Sequence, residues 1–253
     1  MILGLEFPPL THVVQWPAFL FEGTPFAINK VVLVYLFAVL LTVGLFVAGN
    51  KGRLVPSGAQ NLAESAVNFI EDGIAMQTMG PEGLKYTPFL ASIFFFVFFT
   101  NIFEVIPIIQ MPAAARIALP MLLALTVWFV FIIVGIIKQG PITYFKNSIL
   151  LPDVPVAVHI LGVPIEFVST FIVRPFSLMV RLFANLLAGH LLLVTFAVLS
   201  SALWITEWYA VFLPLPVLAV IFFVAFEILV SVLQAYVFAL LTGVYIGTSL
   251  HPH

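Results

Sequence analysis

Cysteine is absent from the chain, which excludes disulfides and thiolate metal sites. Charge is scarce: 8% of the residues are Asp, Glu, Lys or Arg, against about 25% in soluble domains. There is no basic tract and the net charge is -2, which argues against nucleic acid as a partner. No Walker loop, HExxH, GxSxG or histidine pair at ligand spacing occurs. Self-contained catalysis, a bound metal and a cofactor are therefore not expected. Internal repeats and low-complexity tracts are also missing, which leaves 1–253 as a single membrane domain.

What the chain has in quantity is apolar surface. Hydrophobic residues make up 63% of it, more than a soluble core could use. The run 31–49 (VVLVYLFAVLLTVGLFVAG) carries no charge across about the 20 residues that span hydrocarbon. It begins after Glu6, Glu22 and proline-rich turns, without the basic start of a cleaved signal, so 1–30 reads as an outer segment. Further apolar stretches cover 88–109 and 117–137, the second and third spans within 88–137, and then 163–200 and 208–249 within 163–249. Backbone groups in lipid must be satisfied within the segment, so each stretch is read as a helix. A helix of about 36 residues measures roughly 54 Å, against about 30 Å of hydrocarbon. The last two helices are therefore expected to be tilted and packed as a hairpin, with Pro175, Pro214 and Pro216 as bend points.

Basic residues set the orientation. With the N-terminus outside, the inner loops hold Lys51, Arg53, Lys85, Lys138 and Lys146, and the outer loops hold Lys30 and Arg116. The excess places the C-terminus in the cytoplasm. Residues 59–76 put Leu62, Ala66, Phe69 and Ile70 on one face and Gln60, Asn61, Glu64, Asn68, Glu71 and Asp72 on another. That periodicity predicts an amphipathic helix on the inner surface, with a soluble connector as the alternative. The fold class is an all-α integral membrane protein.

Several polar groups fall inside the apolar segments. Arg181 lies halfway along the fourth helix, where an arginine costs about 2.5 to 3.5 kcal/mol even on a lenient insertion scale. Arg174, Ser177 and Asn185 stand beside it at helical spacing, making a polar stripe that faces protein or water rather than lipid. Such a stripe serves function or helix-to-helix glue. His190 and Glu227 are the second anomaly. In an antiparallel hairpin turning near 201–208, one register matches His190 with Glu227 and Arg181 with Gln234. Arg181 and His190, nine residues apart, point about 180° from each other and are separated by roughly 13 Å. One of them therefore faces the hairpin partner and the other faces something else. Asn101, Glu104 and Glu166, nearer the ends of their spans, are weaker candidates for channel lining.

The run RLFANLLAGH at 181–190, with FEILVSVLQAYVFALLTGVYIG at 226–247, resembles the signature of subunit a of the F-type ATP synthases. KGRLVPSGAQNLAE at 51–64 and FFTNIFEVIP at 98–107 support the likeness. The resemblance implies a stator subunit in a bacterial plasma membrane, beside a ring of c subunits and the peripheral-stalk b subunits. It would offer two offset proton half-channels and no catalysis of its own. Arg181 takes the position of the stator arginine and Gln234 that of its polar neighbour. Asn185, His190 and Glu227 take positions of the outer half-channel. Some members carry the acid on the fourth helix and the histidine on the fifth; here they are exchanged. Glu166 stands one residue further from Arg174 than the usual pattern has it. A solute transporter with a pocket at Arg181 would call for an internal repeat and broken helices, and an intramembrane hydrolase using His190 and Glu227 would need an activated nucleophile.

Overall fold

The computed structural model describes residues 19–20, 28–49, 58–106, 116–150, 156–204 and 208–250. Most of the 1–30 segment, with Lys51 and Arg53 of the orientation argument, lies outside them. The first span, α1 (Lys30–Gly49), is apolar all round, so packing rather than amphipathicity decides which side it buries. Val31, Val34, Ala38 and Thr42 form that side, one turn apart, and Val31, Val34 and Ala38 meet Phe103. The next helix, α2 (Ala59–Ile70), continues through a widened π turn at Glu71–Ala75 to Met79, three residues past the expected end. Its protein-facing residues are Ala63, Ile70 and Ile74, whereas Leu62 and Phe69 stay exposed on the neighbouring face. The reason is size: the small Ala63 side chain lets Gly49 of α1 approach closely.

A short 3₁₀ stretch, Gly80–Tyr86, leads into α3 (Thr87–Val105), the central span. Leu90, Ala91, Phe94 and Val97 of α3 join Val127 and Phe131 of α4 (Ala118–Gln139) in the main core. The ion pair Glu82 to Lys138, at 2.8 Å, ties the ends of these elements together. A short helix not expected from the sequence, α5 (Pro141–Ile149), follows a reversal at Gly140, whose φ of 82° favours glycine. Tyr144 of α5 is buried flat against Gly135, where any side chain would collide with its ring. Removing that ring leaves a cavity, so Tyr144→Ala is expected to destabilise the fold by about 3 kcal/mol. The check is thermal melting of the detergent-solubilised chain; an unchanged midpoint would show that α5 is not anchored this way.

The long fourth span is built from α6 (Val156–Val168), a second π turn at Ser169–Val173, and α7 (Arg174–Leu203), which run on without a break. Pro175 has no N–H to give to the preceding turn, and the widened turn before it, closed by Arg174 N–H to Ser169 O, relieves the clash. The fifth span, α8 (Pro214–Leu250), has 37 residues and measures about 55 Å, well beyond the hydrocarbon thickness of about 30 Å. Pro214 and Pro216 stand in its first turn, where a missing N–H is harmless, so they start the helix rather than bend it. α7 and α8 pack antiparallel: Phe196 stacks on Phe223 at 5.1 Å, Gly189 abuts Glu227, and Arg174 reaches Tyr245 and Thr248. Gly243 and Gly247 let α8 close onto Thr78 at the end of the α2 segment. Among the described residues, five helices are long and apolar enough to cross a membrane.

Candidate functional site

Several hydroxyls inside the spans are spent on their own helices. Thr42, Thr100 and Thr242 each donate to the carbonyl four residues back, at 2.6 to 2.8 Å. Polar groups with unused capacity include Thr87 Oγ1 and Trp128 Nε1, which stand apart, and two groupings on α3, α7 and α8. The first is buried between α3, α7 and α8. His190 of α7 is 8% exposed, and its Nδ1 lies 3.3 Å from Glu104 Oε1, at ion-pair distance though not in hydrogen-bond alignment. Glu104 of α3 is 2% exposed, and Asn101 lies one turn before it on the same helix. Both side-chain atoms of Asn101 lack a hydrogen-bond partner among the described residues. Glu227 of α8, 5% exposed, sets its carboxylate against Gly189, where a Cβ would overlap it, and lies within the field of Glu104. Three helices thus bring two carboxyl groups, an imidazole and an amide together.

The second place is the outer face of α7. Leu178, Leu182 and Leu186 turn inward and are buried, whereas Arg181, about 100° round the helix from Leu182, is exposed, with Ser177 and Asn185 half-buried a turn to either side. Among the described residues no carboxylate lies within ion-pair distance of Arg181. Gln234, 7% exposed, stands one heptad beyond Glu227 on α8, and its Nε2 has no hydrogen-bond partner among the described residues. Arg174 is held firmly: its Nη1 donates to Thr248 Oγ1 at 3.2 Å, its guanidinium lies 5.2 Å from the centre of the Tyr245 ring, and Thr248 in turn donates to Tyr245 O. Glu166, half-buried on α6, lies beyond the π turn from Arg174 and forms no ion pair among the described residues.

Comparison with known proteins bears on this arrangement. The sequence profile of the ATP synthase A chain family matches residues 31–247. This chain belongs to the ATP synthase subunit a family. ATP synthase subunit a of Rhodococcus erythropolis is 44% identical over 239 residues, 93% of this chain and 87% of that protein. The proteins of the same name from Hyphomonas neptunium and Pseudarthrobacter chlorophenolicus are 40% identical over 221 residues and 36% identical over 252 residues. For Hyphomonas the match covers 85% of this chain and 84% of the relative, and for Pseudarthrobacter 96% and 93%.

In this chain the periodicity of α7 turns Arg181 outward and His190 inward, as expected from their nine-residue spacing. The partner of His190 was not visible in it. The expected neighbour was Glu227, but the carboxylate at ion-pair distance is Glu104, and Glu227 meets the residue before the histidine. Arg181 and Gln234, matched in depth, are not hydrogen-bonded to each other, because one faces outward and the other into the bundle. Sequence reasoning also missed Gly189, Tyr245 and Thr248. The first could have been found from the hairpin register, since a glycine opposite an acid leaves room for the carboxylate.

Proposed function

We propose that this chain is the proton-conducting stator of a rotary motor, with Arg181 set against the carboxylates of a c-subunit ring. Its family sits in the Fo sector of ATP synthase, and the chain is a multi-pass bacterial membrane protein within that complex. One observation carries the proposal: a guanidinium exposed at mid-helix on the outer face of a membrane bundle. Facing lipid, it would cost about 2.5 to 3.5 kcal/mol or more, so in the assembly something polar or acidic covers it. A ring carboxyl fits. It holds its proton while it faces lipid, where ionisation is penalised, and gives it up beside a fixed positive charge.

Asn101, Glu104, His190 and Glu227 then serve as the outer half-channel. The free hydrogen-bonding capacity of Asn101 and Glu104 suits a file of water, and a neutral imidazole can both donate and accept a hydrogen bond. Asn185 lies between this cluster and Arg181 along α7. Gln234 supplies an amide at the depth of Arg181. Ser177, Arg174 and Glu166 follow towards the other end as the inner half-channel. The described basic residues between the spans or at their ends, Lys85, Lys138 and Lys146, then lie on the cytoplasmic side with the C-terminus, and the N-terminus lies outside. The b subunits of the peripheral stalk hold the chain against rotation, and nucleotide chemistry takes place elsewhere in the complex.

Because the chain has no cysteine of its own, a single introduced one is unambiguous. Asn185→Cys, combined with cysteines scanned along the outer helix of the ring subunit, is expected to form a disulfide in the assembled complex. No disulfide at any position of the scan would remove the ring from this face.

A further inference from the structure

We propose that Tyr245 and Thr248 of α8 grip Arg174 of α7 as a pin, and that this pin holds Arg181 at a fixed height and azimuth while the c subunits push on it. Arg174 is then a positioning residue, and the inference rests on the stator reading of Arg181. The grip is built from directional contacts. Arg174 Nη1 donates to Thr248 Oγ1 at 3.2 Å, and the same hydroxyl gives its own hydrogen to Tyr245 O at 3.0 Å, which leaves its lone pairs for the guanidinium. The guanidinium carbon lies 5.2 Å from the centre of the Tyr245 ring, within cation–π range. That aromatic ring is fixed in turn: Phe131 of α4, 1% exposed, meets it edge-on with centroids 6.0 Å apart. The end of α8 is tied to α4 once more, by Gln139 Nε2 donating to Ser249 O at 2.7 Å. α4, α7 and α8 are thereby locked together at one level.

That level matters because of what shares the same rigid stretch. α7 runs unbroken from Arg174 to Leu203, so Arg181, seven residues on, sits about 10 Å along the axis and about 20° round from Arg174. Tyr245 lies within the field of both arginines. On the other side of Arg181, eight residues further along, Gly189 abuts Glu227 of α8. The exposed guanidinium is therefore held between two contacts with α8. Between them, Leu178, Leu182 and Leu186 join the core, and such apolar contacts hold helices together but are non-directional. Just before Arg174 the chain passes through the π turn Ser169–Val173, a departure from α-helical geometry of the kind found at functional places. Without the pin, a load on Arg181 would be taken up at that turn. Two blander roles fit less well. A guanidinium that snorkelled to the headgroups would turn away from α8, and one that carried protons would have to release one, which a guanidinium does not do.

The test extends the Asn185→Cys scan against the c subunits to variants of the pin, in the assembled complex at matched complex content. Protons pumped per ATP hydrolysed are followed in parallel as the opposing gradient builds. Thr248→Val keeps the volume and removes the acceptor, Tyr245→Leu removes the aromatic ring, and Arg174→Met removes the cation. Each is expected to spread the disulfides to c-subunit positions one turn away and to lower the final gradient about threefold, with the coupling ratio falling as the gradient rises. Tyr245→Phe keeps the aromatic face and Arg174→Lys keeps a cation and a donor, so both are expected to stay closer to wild type than Tyr245→Leu and Arg174→Met. A role confined to fold stability would lower complex content and leave the disulfide pattern and the coupling ratio alone, which would overturn the pin. Tyr245→Phe as damaging as Tyr245→Leu would assign the effect to the phenol hydroxyl and overturn it too. An unchanged pattern in Arg174→Met, beside a positive scan in the wild type, would remove the pin but not the stator reading. Normal pumping by Arg181→Ala would remove the stator reading and the pin with it.

Discussion

ATP-driven proton pumping by inverted vesicles is expected to fall to background when Arg181 is replaced by alanine. The guanidinium is exposed on α7, and in the proposed mechanism nothing else favours ionisation of a ring carboxyl at the stator. Passive proton leak should persist or rise, because in the proposed mechanism the same charge separates the two half-channels. Each 100 mV of potential is worth about 2.3 kcal/mol per charge, so a leak here dissipates the driving force directly. Arg181→Lys should fail as well. An ammonium deprotonates more readily when desolvated, and its donors lack the planar fork of a guanidinium. Dye-quench assays of pumping with matched complex content are the measurement. Near-normal coupled pumping by either variant would falsify the stator assignment.

The second large effect concerns the buried cluster. Replacing His190 or Glu104 by alanine is expected to slow proton flux about tenfold, a barrier increase of about 1.4 kcal/mol. The two losses should not add, because the imidazole and the carboxyl at 3.3 Å act as one unit. The double variant should therefore resemble either single one, and a hundredfold loss in the double would mean that they act independently. Exchanging the ends of the hairpin, His190→Glu with Glu227→His, tests the geometry further. It keeps one acid and one imidazole but places a carboxyl opposite Glu104, so flux should recover only in part relative to the single exchanges. Full additivity in that exchange cycle would reclassify Glu227 as a structural contact to Gly189.

Five spans, the mid-helix Arg181 and the opposed faces of α7 were legible because each depends on a local quantity: length in hydrocarbon, insertion cost, or the 100° step of a helix. Hairpin register was nearly legible for the same reason, since Glu227 meets Gly189, next to the residue expected. What lay beyond reach was which neighbour fills an azimuth. Nothing in α7 or α8 says that α3 packs alongside, so Glu104 read as a residue near a span end rather than as the partner of His190. α5 escaped because nine residues around one buried tyrosine give too short a pattern, and its anchor is a glycine on a different helix. Both π turns escaped as well. They leave no composition signal, and the proline after the second suggested a bend where the chain instead widens a turn.

That second widened turn bears on the position of Glu166. Eight residues separate it from Arg174, so in an unbroken α-helix the two would differ by about 80° in azimuth. A π turn takes up one residue without advancing the helical phase, which brings the difference back to about 20°. The one-residue offset of Glu166 seen in the sequence therefore behaves as an insertion absorbed at Ser169–Val173. Glu166, Arg174 and Arg181 then line up a heptad apart, and deleting a single residue within the turn would straighten the helix without moving the acid off that line.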